Sequence, residues 1–384
     1  MKISCTQENL NQGLFVVSHL AAKSASLPIL NNILFQVDKN TIKLSATNLE
    51  IGVSCVVRGK VEEPGDFTVQ SRLLADYMSL LPKERVDLVS PNQVGEGQDQ
   101  ILEVKCKNYA TKIKGQPAVD FPVIPQIEKK QAYVLKPEDF RQAVSQVIFA
   151  VSANETRPEI NGISFNFKGD KLILATTDSY RLAEKTITLG GKPELGDKRV
   201  IVPTRTMQEL LRILSSFKDP AAISNIEEVK IYISENQILF TLDSIELISR
   251  LVEGQYPDYQ QIIPSESKTK VVLDVMELTK ATKTASLFTR SGIYDVSLEF
   301  VAGKKEVVIS STNSQLGENT SNIGGEFSGE DNRIVVNYRY LLDGLQNINS
   351  DQVEVSIIDG NNPCVLRPVG KKSDYLYIIM PIKQ

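Results

Sequence analysis

A chain of 384 residues is long enough for two or three domains of roughly 100–200 residues each. Apolar residues at 41% and charged residues at 23%, with both signs interspersed, are the composition of a soluble globular protein; no stretch nears the roughly 20 apolar residues that span a bilayer, and Met1 to Leu10 lack the basic start and apolar run of a signal peptide, so a cytoplasmic location is expected. The formal charge of −4 argues against a surface that is basic throughout, though not against a local basic patch.

In chain order, the first helical pattern is Leu10, Leu14, Val17, with apolar residues at three- and four-residue spacing. It holds the chain's one histidine, His19, which reads as a surface or packing residue. A hairpin follows, Asn32 to Val37 and Thr41 to Thr47, alternating with period two as half-buried antiparallel strands do. Next, the strand Asp66 to Gln70 runs into a helix, Ser71 to Leu81. The same series then recurs. A helix carrying Phe140, Val144 and Val147 leads to the hairpin Gly162 to Phe167 and Lys171 to Thr177, then to the strand Arg199 to Pro203 and the helix Thr204 to Leu214. A third pass has Leu278, Ala281 and Ala285, the hairpin Tyr294 to Phe300 and Glu306 to Thr312, the strand Arg333 to Asn337 and the helix Tyr338 to Leu345. Arg72, Arg205 and Tyr338 hold equivalent places at equal intervals of about 130 residues. Further strands follow the second helices, such as Val229 to Ser234 with Gln237 to Leu242, and Val353 to Ile358 with Cys364 to Pro368.

Each repeat is therefore an α+β domain of two helices on antiparallel sheet. Asp120 to Pro125 and Tyr256 to Pro264 close the first two repeats alike, which puts the domains at 1–128, 129–264 and 265–384. Cys5, Cys55, Cys106 and Cys364 are far apart, form no C-x-x-C pair and read as reduced structural thiols. Neither a phosphate-binding glycine loop, nor G-x-S-x-G, nor H-E-x-x-H occurs. An enzyme would have to rely on carboxylates such as Asp178 with Glu184; no catalytic residue, metal or cofactor is expected.

The whole chain resembles one family, the beta subunit of bacterial DNA polymerase III, the sliding clamp. The resemblance rests on Met1-Lys-Ile3, Leu27-Pro-Ile-Leu30, Thr177-Asp-Ser-Tyr-Arg-Leu182, Val200-Ile-Val-Pro203, Tyr256-Pro-Asp-Tyr259 and Ile379-Met-Pro-Ile382, in that order. It implies the DNA clamp fold: three clamp domains per chain, two chains joined head to tail, and a ring with sheets outside and helices lining the passage. It also implies a non-catalytic processivity factor of the DNA polymerase III holoenzyme that encircles double-stranded DNA without reading its sequence. The implied partners are the polymerase III catalytic subunit, the clamp loader, other replication and repair proteins with clamp-binding peptides, and a second copy of the chain as homodimer; no membrane is involved. A ring that must stay on DNA yet move needs only diffuse attraction to phosphate. On the helices the cations for this are Lys280, Lys283 and Arg290 in the pattern Val275 to Arg290, where Glu277 is the only acid, with Lys23, Arg72, Lys136, Arg141, Arg205, Arg212 and Arg339 elsewhere. Each taken singly could equally be an ordinary solvated helix charge.

The resemblance further implies a pocket for a short peptide carrying a glutamine and a few apolar side chains. Carried over position by position, it would use Ile160, Thr177, Ser179, Tyr180, Arg181, Leu182, Pro257, Gln261, Ile262, Ile293, Tyr340, Asn361, Pro363, Ile378, Ile379, Met380, Pro381 and Ile382. Without the resemblance, Ile378 to Ile382 reads as a terminal strand over core, Thr177-Asp178 as a helix cap or turn, and Arg181 as the partner of a neighbouring acid. For the dimer seam the family pattern points to Leu287 and Phe288 at a helix end, which could also be core, facing an edge strand Ile101 to Ile113 with Lys105, Lys107 and Lys112. This sequence departs from some clamps at Ser24, Pro158 and Glu159, where arginine and paired tyrosines can stand, with Lys23 and Arg157 close by; Ser179 replaces a common glycine and Gln261 an occasional arginine. A monomeric peptide-binding adaptor that never encloses DNA is the rival reading.

Overall fold

The structure is a computed structural model, described for all residues except 22–26, 91–99, 155, 192–195, 217–226, 290–291, 371–373 and 384. Six α-helices are formed among the described residues: α1 Gln7–Ser18, α2 Ser71–Leu80, α3 Pro137–Ile148, α4 Thr204–Ser216, α5 Val275–Ser286 and α6 Tyr338–Gln346. They are the two helices of each repeat. Side chains that accept a hydrogen bond from a first-turn N–H start three of them: Thr6 for α1, Asp274 for α5 and Asn337 for α6. No described helix is long and apolar enough to cross a membrane.

Met1–Pro137 and Arg205–Leu251 form one compact unit. Its frame is a thirteen-stranded antiparallel sheet. Hairpin strands of the first repeat, Asn32–Val37 and Ile42–Thr47, continue through Ile51–Val57 into Ile245–Arg250 of the middle repeat, with Val53 opposite Leu247. The alternating residues Phe35, Leu44, Val53 and Phe67 are fully buried, as are Leu10, Leu14 and Val17 of α1 and Leu74 and Met78 of α2. Burial of such side chains supplies roughly 1.5–3 kcal/mol each relative to exposure, so the period-two and period-3.6 patterns together specify which faces meet.

Glu138–Lys192, Gly196–Thr204 and Val252–Gln384 form the other unit, so the middle repeat contributes to both. A nine-stranded antiparallel sheet runs from Lys198–Pro203 through Gly162–Lys168, Lys171–Thr177 and Arg181–Thr188 to the last strand, Tyr375–Ile379. Beyond it lie Cys364–Pro368, Gln352–Ile357, Thr269–Asp274 and Glu326–Gly329. Four further strands of the third repeat, 295–337, make a separate sheet. The C-terminal strand is thus interior to the larger sheet, paired with the middle repeat on one side and the third on the other.

Two sequence expectations need correction. The helical pattern Val275 to Arg290 stops at Ser286, because the hydroxyls of Thr284, Ser286 and Thr289 each turn back to a carbonyl three residues earlier, offering the backbone an alternative to a further helical turn. Ile101 to Ile113 is not one edge strand. It folds back at Lys107, which takes a left-handed φ of 52° before Asn108, giving the hairpin Gln100–Cys106 and Tyr109–Gln116. The first arm is interior, paired with Arg85–Val89. The second is bonded on its outer side only at Gly115 and Gln116, so the edge lies there.

Candidate peptide pocket and basic helices

The loop joining Lys171–Thr177 to Arg181–Thr188 is built by its own side chains. Asp178 Oδ1 accepts from the backbone N–H of Tyr180 at 2.9 Å and of Arg181 at 3.0 Å, while Thr177 Oγ1 donates to the Arg181 carbonyl at 2.7 Å and accepts from Ser179 N–H at 3.1 Å. Thr177-Asp178 therefore make a turn, not a helix cap. Ser179 at its tip has φ of 78°, the left-handed region in which a Cβ is a burden, and this is the place where many clamps have glycine.

Arg181 leaves this turn as the hub of the site. Its guanidinium bonds Asp178 Oδ2 at 2.9 Å, Asp343 Oδ2 of α6 at 2.5 Å and the carbonyl of Phe149, just past α3, at 3.0 Å. It also lies over the rings of Tyr340, 4.7 Å from the centroid, and Phe149, 5.6 Å away. Only 12% of the side chain is exposed, so the sequence reading of an acid-paired arginine holds and the partners are two. Tyr377, from the last strand, donates to the Tyr340 carbonyl at 2.9 Å and packs on Phe149.

Strand register brings further expected pocket residues to the same place. Arg181 lies opposite Ile379 and Leu182 opposite Ile378; past the strand's end Met380 N–H donates to the Tyr180 carbonyl at 2.8 Å and Ile382 N–H to Val335 at 2.8 Å. Ile160, Leu182 and Ile378 are buried in one cluster with Ala175, Ile201, Tyr256, Tyr259, Val365 and Leu376. The reading of a terminal strand over core holds for part of the C-terminus. Ile378 and Ile379 cover core as strand, whereas Met380, Pro381 and Ile382 lie beyond it and are partly exposed. Tyr180 at 64% and Ile262 at 41% exposure leave apolar surface open beside that floor. Pro363 precedes Cys364, which pairs with Ile379. Other expected residues are less closely tied: Asn361 bonds Asp359 and Gln261 bonds Asp258, each within its own loop, and Ile293 sits exposed ahead of Asp295–Val301.

Sequence reasoning passed over Phe149, Tyr377 and Asp343. Asp343 had a signal, since it stands three residues after Tyr340 on α6 and so shares its face; Phe149 had none, because its carbonyl and ring both meet Arg181 only once distant elements are assembled. Also unforeseen is the bond from the Tyr259 hydroxyl to Glu184 Oε2, at 2.6 Å. Burial pushes the Glu184 carboxyl above the usual carboxylate range, against the opposing pull of that hydroxyl and of Arg367.

Of the helix cations, Lys23 and Arg290 lie outside the described residues. Lys136, Arg205, Lys280, Lys283 and Arg339 are exposed, and Arg72 is too, with Asp76 at 3.7 Å in a pair that solvent leaves nearly worthless. Arg339 rests over the Tyr294 ring at 3.7 Å. Two others are engaged. Arg141 is held by Glu138, and Arg212 spends its donors on Glu209, which His19 also bonds at 2.7 Å, and on the carbonyls of Phe15 and Val16 in the last turn of α1. His19 thus has a packing partner at the helix end. For the seam, Leu287 is 71% exposed directly after α5 and Phe288 is partly buried. Lys105 is exposed and Lys107 faces Glu84 at 3.5 Å. Among the described residues no group of three His, Cys, Asp or Glu side chains could hold a metal.

Repeated two-helix α+β units on antiparallel sheet define a three-domain clamp fold. Family models cover nearly the whole chain: the DNA polymerase III beta subunit N-terminal domain matches residues 1–125, the central domain 134–258 and the C-terminal domain 260–383. The chain belongs to the DNA polymerase III beta subunit family, the beta sliding clamps, which are processivity factors rather than enzymes. A beta sliding clamp of Synechocystis is 27% identical, with 100% of this chain and 99% of that one aligned, and one of Staphylococcus aureus is 29% identical over 93% of each. Among solved structures, the DNA polymerase sliding clamp of Bacillus subtilis matches with a TM-score of 0.91 at 25% identity, covering 100% of this chain and 99% of that one. The Pseudomonas aeruginosa clamp bound to griselimycin matches at 0.90 and 26%, over 100% of both.

Proposed function

We propose that two copies of this chain close head to tail around duplex DNA and tether the DNA polymerase III catalytic subunit to it. The observation that carries the reading is the convergence of Tyr180, Arg181, Leu182, Ile378 and Met380 on one partly open apolar floor, in a chain of the sliding-clamp family. Its polar anchors are few and its apolar lining includes an unbranched methionine, which suits related peptides of differing shape. The clamp loader and other replication and repair proteins would dock there in turn. The domains run 1–128, 129–264 and 265–384, the exposed cations of the helices supply a sequence-blind attraction to phosphate, and Leu287 and Phe288 meet the hairpin bearing Lys105 and Lys107 in the second copy. The site of action is the cytoplasm. Retention on DNA separates this from a monomeric adaptor: after loading on nicked circular DNA, the protein should remain bound through gel filtration and fall off once the circle is cut. Equal retention on linear and circular DNA would reject enclosure.

A further inference from the structure

Three of the expected pocket residues, Pro257, Gln261 and Ile262, lie within three positions of Tyr259, as one wall of the proposed pocket. Among the described residues the short 3-10 turn Tyr259–Ile262 has little backbone attachment to the sheet: Tyr259 N–H reaches Pro257 at 2.9 Å and Ile263 N–H reaches Gln260 at 3.3 Å, and the nearest upstream bond to a strand runs from Val252 to Ile201 at 2.9 Å. What seats the turn is side chains. Tyr259 is its one buried residue, 3% exposed, packed edge-on against Tyr256 at 6.3 Å and with the Arg199 guanidinium 6.0 Å from its ring. At its far end the hydroxyl donates to Glu184. Glu184 follows Leu182 by two residues on the same strand, so both side chains leave the same face of the sheet. Leu182 is floor; Tyr259 is the root of the wall.

We propose that Glu184 is a positioning residue for peptide capture, fixing through Tyr259 the distance between the Pro257–Ile262 wall and the Leu182–Ile378 floor. The inference rests on the pocket reading above. A peptide wedged between wall and floor gains affinity when the wall is already seated, because the ordering cost is met before binding. A carboxyl keeps one accepting oxygen in either protonation state, and a glutamine side chain offers the same acceptor at nearly the same reach.

The test uses the full chain and a fluorescent peptide bearing one glutamine followed by leucine and phenylalanine side chains, with affinity read by anisotropy. Tyr259→Phe, which keeps the ring and removes the donor, should weaken binding about five- to thirtyfold, as should Glu184→Ala; Glu184→Gln should restore binding to within about threefold of the unaltered chain. The urea midpoint of Tyr259→Phe should stay close to that of the unaltered protein, and that of Glu184→Gln should be no lower. Unchanged affinity in both Tyr259→Phe and Glu184→Ala overturns the proposal, and so does a loss that Glu184→Gln fails to rescue. Failure of the unaltered chain to bind the peptide would instead remove the pocket reading, and this inference with it.

Discussion

Glu184 shows how a single partly buried carboxyl makes stability depend on pH. Burial holds its folded-state proton affinity above the ordinary glutamate value of about 4.3. The folded chain therefore binds a proton that the unfolded chain releases, so the contribution is fully present below the ordinary value and is lost as pH rises through the raised one. Glu184→Gln has no proton to lose. Urea midpoints measured from pH 4 to 8 should show the unaltered protein falling relative to that variant with rising pH; a difference independent of pH would mean the carboxyl is not desolvated. Arg181 makes a different residue-scale case, because its bonds run in three directions from one planar fork. Lysine can serve only one or two of them. Arg181→Lys should cost about 2–3 kcal/mol in urea unfolding, less than for a fully enclosed network because Asp343 is 42% exposed. The resemblance placed Arg181 at the site and the sequence an acid beside it, since Asp178 is a near neighbour; spacing marked Asp343 only as a neighbour of Tyr340 on one helix face and could not join it to Arg181, 162 residues away, or pair Glu184 with Tyr259 across 75 residues. Local pairs are written in spacing, whereas distant ones exist only once the sheet is assembled.

At the level of elements, the sequence was legible wherever burial enforces a period. All six helices and the three leading hairpins fall where apolar spacing put them, because a one-residue slip would turn Phe35, Phe165 or Phe300 out of the core. It was least legible at ends and turns, where hydroxyls and a left-handed lysine decide matters that hydropathy does not record. The early stop of α5 has a consequence for assembly. Leu287 lies just past the helix end and stands 71% exposed among the described residues. Replacing Leu287 and Phe288 together by aspartate would set two charges in the proposed seam. Dimer affinity should fall more than tenfold, the cost of losing at least one side chain worth about 2 kcal/mol, and sedimentation should find monomers at micromolar concentration. A dimer of unchanged stability would place the seam elsewhere.

For the whole molecule the proposed enclosure predicts that little of the hold on DNA comes from charge. The net charge is −4, and of the basic helix residues Arg141 and Arg212 are already engaged within the protein. A binder that held duplex by six to ten phosphate contacts would lose roughly 10³–10⁵ in affinity between 50 and 200 mM salt, as released counterions are no longer favoured. Enclosure has no such term. Once loaded on a closed circle, the protein should be retained with a half-life that changes less than about tenfold over that range, while its binding to short linear duplex, which must rely on the few exposed cations, should be weak and fall steeply. Both are measured by gel filtration of labelled protein at each salt concentration, with the dimer followed separately by sedimentation so that opening of the seam is not mistaken for loss of attraction. Parallel decay on circle and linear duplex, with the dimer intact, would mean that phosphate contacts hold the protein to DNA and that the closed path contributes nothing.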